Sequence, residues 1–190
     1  YRARNTGLAT TSWLADQRKV RWPPFTCSRC SMTDQPWWEK PLHELDSSEW
    51  EALCDGCGKC CLHKLEDEDS GAVFLTAVAC ACLDLETVRC RHYARRTEVQ
   101  PACMVITVAE LPALLPALPP TCAYRLRWQN SRLPAWHPLL SGGSSRNMEL
   151  CGHSVRDRVI SENDLDADLE EDGWQELVIE EWSAGPVEKL

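Results

Sequence analysis

Cys54-Asp55-Gly56-Cys57-Gly58-Lys59-Cys60-Cys61 places four thiols within eight residues, three of them at strict three-residue spacing, with a glycine on each side of the second. So dense a set of thiols is implausible by chance, and the stretch reads as a ligand loop that the rest of the chain holds in place. Gly56 and Gly58 permit the positive φ values with which a backbone folds back round an ion. They also weaken the rival state, a helix carrying thiols at i, i+3 and i+6. Neutral thiols bind metals poorly and thiolates bind them well, so gathering several round one cation is what keeps them deprotonated.

Upstream of the loop, Asp46 or Ser47 can cap a short helix with Glu49 or Glu51 in its first turn and Trp50 and Leu53 on one face. That helix delivers the chain to Cys54. Downstream, residues 62–66 and 72–79 are strand-like runs separated by Asp67-Glu68-Asp69-Ser70-Gly71, the pattern of a β-hairpin. The hairpin carries Cys80 back towards Cys60 and Cys61. The three acids lack the spacing of a calcium loop and read as a solvated turn.

Further on, Thr107-Val108-Ala109-Glu110 fits a capping box opening a short helix that prolines soon end. Pro119 to Leu126 reads as a helix start with Cys122 in its first turn. Residues 134–140 are a proline-bounded apolar loop, and 141–145 a flexible one. Val155 to Ile160 has strand character, and Ser161 is placed to cap an acidic helix.

Length and charge divide the 190 residues into three parts. Residues 1–31, rich in Arg, Thr and Ala, form an N-terminal extension; Met32-Thr33-Asp34 reads as an ordinary start of translation. Cys27-Ser28-Arg29-Cys30 within it has the spacing of half a zinc site or a redox pair, but an incidental pair is the preferred reading. Residues 32–160 are the cysteine-cluster domain. Residues 161–190 are an acidic helix and tail, with disorder expected past Trp182. The net charge of −9 is concentrated in that tail, and no basic face with interleaved aromatics exists, so nucleic-acid binding is disfavoured.

Twelve cysteines are the outlying feature of a chain that has nine tryptophans and two phenylalanines, its apolar runs interrupted by twelve prolines. Cysteine-rich chains carry disulfides outside the cell and metal or redox sites inside it. Residues 1–20 have no apolar core of a secretory signal. The most apolar run, residues 102–118, contains Glu110, Pro112 and Pro116, so a membrane span is not expected. A cytoplasmic setting is favoured, with the thiols as ligands.

Two kinds of centre fit. Zinc takes four thiolates or imidazoles in a closed tetrahedron. Iron–sulfur clusters take cysteine thiolates, commonly at two-residue spacings plus a distant one. The neighbours Cys60 and Cys61 point apart in an extended chain, so they serve two sites or one bridged site. With Cys80, Cys90, Cys103 and Cys122 there are enough thiolates for two four-ligand sites. Taken singly, Cys82, Cys103 and Cys151 are better read as small buried apolar residues. Among the histidines His63, two residues after the cluster, is the best candidate ligand. No phosphate-binding glycine loop, nucleophile elbow or HExxH motif is present, so no catalytic residue is assigned.

The CxxCxxCC run followed by Leu62-His63-Lys64-Leu65-Glu66 resembles the bacterial cysteine-cluster proteins of the YcgN type, within a wider zinc- or iron-chelating group. The likeness continues through Val78-Ala79-Cys80, Cys90-Arg91-His92-Tyr93, residues 118–125 and 133–139, and Ser154-Val155-Arg156. By matching position it implies Cys54, Cys57, Cys60, Cys61, Cys80, Cys90, Cys103 and Cys122 as metal ligands. Val88 stands where the family usually has a further cysteine, so either Cys82 substitutes for it or the site needs one ligand fewer. The flagellin lysine methylase is a distant relative of the wider group.

The expectation is an α+β fold: a small irregular domain of short helices and a β-hairpin, stapled by metal–cysteine sites. Its function is that of a metal-binding protein carrying an iron–sulfur cluster or zinc. The alternatives are a redox or methyl-transferring enzyme built on an iron–sulfur centre, and a structural zinc domain for protein contacts.

Overall fold

The computed structural model describes residues 35–165 and 171–183. The N-terminal extension with Cys27 and Cys30, and the tail beyond residue 183, lie outside the described residues.

Single 3-10 turns at Trp37–Glu39 and Leu42–Glu44 lead into helix α1 (Ser47–Leu53). Asp46 caps it: its Oδ1 accepts the amides of Ser48 and Glu49, both at 2.8 Å, and Glu49 Oε2 accepts the Asp46 amide at 3.2 Å. This is a reciprocal capping box. Lys40 Nζ meets the same carboxylate at 2.5 Å. The helix ends where Cys54 turns extended, at φ −66° and ψ 125°.

Strands β1 (Leu62–Glu66) and β2 (Val73–Ala79) form the expected antiparallel hairpin, pairing Leu65 with Phe74 and Glu66 with Val73. Asp67 organises its turn: the Gly71 amide donates to the Asp67 carbonyl at 2.8 Å, and the Ser70 amide to its carboxylate at 2.8 Å. A second two-stranded hairpin comes next, β3 (Leu83–Asp84) with β4 (Arg89–Cys90). Its Asp84 carboxylate accepts the Glu86 and Thr87 amides.

Short helices complete the chain: α2 (Arg96–Val99), α3 (Leu111–Leu114), α4 (Ala123–Trp128) and α5 (Arg146–Leu150). Thr107 Oγ1 accepts the Glu110 amide at 3.2 Å, so the sequence signal lies one turn before α3 itself. Strand β5 (Ile160–Ser161) pairs parallel to β2, giving the order β1-β2-β5. The strand character of Val155–Ile160 is thus realised only at its end, because Asp157 at φ 59° turns the chain. Ser161 caps, its hydroxyl accepting the Asn163 amide at 3.3 Å. Among the described residues after Ser161, where an acidic helix is expected, the chain makes 3-10 turns over Glu162–Asp164, Glu171–Leu177 and Glu180–Trp182. The α+β class holds, with short helices and small sheets.

Two apolar clusters carry the fold. The first gathers Leu53, Leu111, Leu118, Ala123 and Tyr124. The second gathers Leu62, Leu75, Ala79, Leu83, Val88, Val155 and Trp182. Leu53 immediately precedes the Cys54–Cys61 loop and Leu62 immediately succeeds it. The loop is therefore the seam between two cores, and burial on either side fixes one of its ends.

Candidate metal centre

Gly56 and Gly58 adopt φ of +74° and +80°, as a fold-back loop requires. Gly58 is needed twice over. A Cβ there would stand 2.6 Å from Val155 Cγ2 and 2.7 Å from Val88 Cγ1. The loop is held to the body by backbone bonds, the Val155 amide to the Cys57 carbonyl at 3.0 Å and the Cys80 amide to the Cys61 carbonyl at 2.9 Å.

A backbone amide points at sulfur: Gly56 N–H donates to Cys54 Sγ at 3.4 Å. Such a bond favours the thiolate over the thiol, which is the state a metal requires.

Beside the loop lies a cavity of about 430 Å³. Cys54, Cys60 and Cys61 reach it from the loop, Cys80 and Cys82 from the end of the first hairpin, Cys90 from β4 and Cys103 from the segment after α2. Of the eight cysteines singled out in the sequence, six line this cavity. Cys57 is buried behind the loop, and Cys122 sits at the cap of α4. Cys151, at the end of α5, is exposed and away from the cavity. Among the described residues, no three cysteine, histidine or carboxylate side chains converge on one point as ligands of a single ion. The thiols instead share the lining of this space with the apolar side chains of Trp50, Tyr124, Met104 and Ile106.

The electrostatics are those of a thiol set short of positive charge. Burial, then the Asp55 carboxylate, pushes Cys54 and Cys57 up. Burial pushes Cys122 up to about 12. The adjacent Cys60 and Cys61 thiols act on each other, so that Cys60 is brought down and Cys61 is pushed up. Soft, cation-seeking donors in this number suit zinc or iron, and a bound cation inverts the local preference for the protonated thiol.

Three charged residues of the site were not singled out in the sequence. Asp55 is 6% exposed; its Oδ1 accepts the Cys57 amide at 3.0 Å, while Oδ2 is buried without a partner. Lys59 is 1% exposed and places Nζ over the Trp182 ring, 4.7 Å from its centre. Glu162 bonds His63 Nε2 through one oxygen and accepts the Ala81 amide through the other at 2.7 Å. Asp55 and Lys59 sit inside the motif, so only their burial was hidden. Glu162 lies about a hundred residues from His63 and carried no sequence signal.

A family profile described as "Putative zinc- or iron-chelating domain" (CxxCxxCC) matches residues 53–123, the span from the end of α1 to the start of α4. A UPF0260 protein of Cronobacter sakazakii is 47% identical over 135 residues, 70% of this chain and 90% of that protein. The chain belongs to the UPF0260 family. A UPF0260 protein of Klebsiella pneumoniae is 52% identical over 60% of this chain and 77% of its own length. The UPF0260 protein YcgN of Salmonella paratyphi A is 48% identical over 70% of this chain and 90% of its own length. No solved structure matches.

Within this UPF0260 chain, Val88 is buried in the second cluster at φ 54° and faces Gly58. A β-branched residue in that region is strained by about 1–3 kcal/mol, and burial between β3 and β4 holds it there. Cys82 lines the cavity from the other end of the same hairpin, where its carbonyl accepts the Arg91 amide at 2.8 Å. Among the described residues no helix is long and apolar enough to cross a membrane.

Proposed function

We propose that this UPF0260 protein holds iron–sulfur metal, in one or more clusters, on Cys54, Cys57, Cys60, Cys61, Cys80, Cys90, Cys103 and Cys122. The observation that carries the reading is the cavity: about 430 Å³, lined by seven thiols drawn from four separate stretches of chain, six of them in this set. A tetrahedral zinc site uses four donors at about 2.0–2.3 Å and closes round one ion. The thiols here outnumber that need, and the space exceeds it. The C-x2-C-x2-C spacing of Cys54, Cys57 and Cys60, joined by a remote cysteine, also matches cluster ligation.

An iron–sulfur centre supplies one-electron chemistry when bound. The chain's own groups supply its surroundings. Lys64 lines the cavity with Nζ donating to the carbonyls of Cys60 at 3.2 Å and Leu62 at 2.7 Å. Its charge offsets that of nearby thiolates. Trp50 and Tyr124, with rings 4.6 Å apart, add apolar surface to the cavity lining. Thiols in this number fit a reducing cytoplasm.

The test is anaerobic purification with absorbance, iron, zinc and acid-labile sulfide analysis. Iron with sulfide and a broad visible absorbance is expected. Stoichiometric zinc without iron would replace the cluster by a structural zinc site, and protein free of metal would end the reading.

A further inference from the structure

Resting on the reading that the cysteines hold metal, we infer that they form two centres divided at the Cys60–Cys61 peptide. Cys54, Cys57, Cys60 and Cys122 make one, and Cys61, Cys80, Cys90 and Cys103 the other.

The first group hangs from the helical core. Tyr124 Oη donates to the Trp50 carbonyl at 3.0 Å, and the two rings lie 4.6 Å apart. Cys122 precedes Tyr124 by two residues and packs on the same cluster that buries Leu53, the neighbour of Cys54. Helix α4 and helix α1 thus bring a remote cysteine to the C-x2-C-x2-C run. Asp55 belongs to this group, with a buried carboxylate oxygen that has no partner. A buried orphan charge is costly unless a cation compensates it. Lys59, buried in the same loop and acting on Asp55, is that cation.

The other group hangs from the sheet core. Cys61 packs on the cluster of Leu62, Ala79 and Leu83. The Cys80 amide donates to the Cys61 carbonyl at 2.9 Å, and the Leu83 amide to the Cys80 carbonyl at 2.9 Å. Leu83 pairs directly with Cys90 across the β3–β4 ladder. Three of the four cysteines are therefore tied by consecutive backbone bonds, and Cys103 lines the same cavity as they do. Cys82 stands beside Cys80 as a fifth thiol of this group.

Adjacent residues on a tight turn project differently, which lets Cys60 serve one centre and Cys61 the other.

The experiment compares metal and sulfide per chain in the wild type, C57S/C122S and C80S/C90S, all purified anaerobically with fold checked by circular dichroism. Each double variant is expected to keep roughly half of the wild-type metal. Complete loss from either variant while it stays folded would overturn the division. Should a variant not fold, stepwise chelation of the wild type with alkylation and peptide mapping decides. Release of the two groups in separate steps supports two centres, and simultaneous release of all eight cysteines overturns them. A wild type that binds metal at one centre only, lost as a unit, sinks the division and leaves metal binding intact. A wild type without metal sinks both.

Discussion

His137 Nε2 lies 3.1 Å from the carbonyl oxygen of Leu53 and donates to it, joining the proline-bounded loop to the last residue of α1. On the other side of the ring, the Leu139 amide donates to Nδ1 at 3.2 Å. The histidine is fully buried. Both nitrogens are committed, so the neutral tautomer with hydrogen on Nε2 is the one that fits. Through Leu53 this bond sets the position from which Cys54 enters the loop.

Removing that ring should loosen the loop's entry. H137A leaves the Leu53 carbonyl unpaired and opens a void, with an expected loss of about 2–4 kcal/mol. Urea unfolding measures it. A loss under about 0.5 kcal/mol would show that the bond is not a structural determinant.

The same histidine makes stability depend on pH. Burial lowers its pKa in the folded protein, whereas in the unfolded chain it titrates near about 6.5. The unfolded state therefore binds the proton first as pH falls. The contribution of His137 is whole above about pH 6.5 and shrinks below it. His153 is lowered as well, so the measurement is the difference between wild type and H137Q. That difference should narrow from pH 7.5 to pH 5, and a constant gap would refute the assignment.

Gly58 and Gly142 have nearly the same φ, +80° and +79°, but different surroundings. G58A drives a methyl into Val155 and Val88 and should cost about 2–4 kcal/mol, with strain and overpacking combined. Nothing stands within 4 Å of a Cβ at Gly142, so G142A should cost about 1 kcal/mol. Equal losses in thermal unfolding would mean that φ alone matters at Gly58.

Trp182 is 2% exposed, with Lys59 Nζ 4.7 Å and Arg158 Cζ 4.4 Å from its ring centre. It closes the sheet core and carries the buried lysine of the loop. W182A should lose about 3–5 kcal/mol, and W182F markedly less because the ring face is kept. Identical midpoints for the two variants would rule out the cation contact.

Glu162 clamps two chain segments at once, His63 on β1 and the Ala81 amide between Cys80 and Cys82. E162A should cost about 1–3 kcal/mol and raise the alkylation rate of Cys80 and Cys82 above that of the exposed Cys151. Unchanged reactivity at both cysteines would show that the clamp does not order this turn.

Local signals determined much of this protein by themselves. The capping box at Asp46, the turn residues between β1 and β2 and the two loop glycines act within a few residues, so their effects can be read from order alone. The dense thiol run reads as a candidate soft-metal ligand loop for the same reason, since that reading rests on spacing and residue type alone. The end of the domain was less legible. Val155–Ile160 has strand composition, yet Asp157 in the left-handed region leaves only Ile160–Ser161 to pair with β2.

Long-range placement belonged to the tertiary structure. Sequence order cannot say that Leu53 and Leu62, nine residues apart, sink into different cores and stretch the Cys54–Cys61 loop across the seam between them. Nor can it say that Val88 fills space over Gly58, or that Glu162 reaches His63 and Ala81. Those facts depend on how two apolar clusters exclude water together, which is settled only when distant segments meet. The cysteines were visible in the chain, but the company each keeps was decided by that burial.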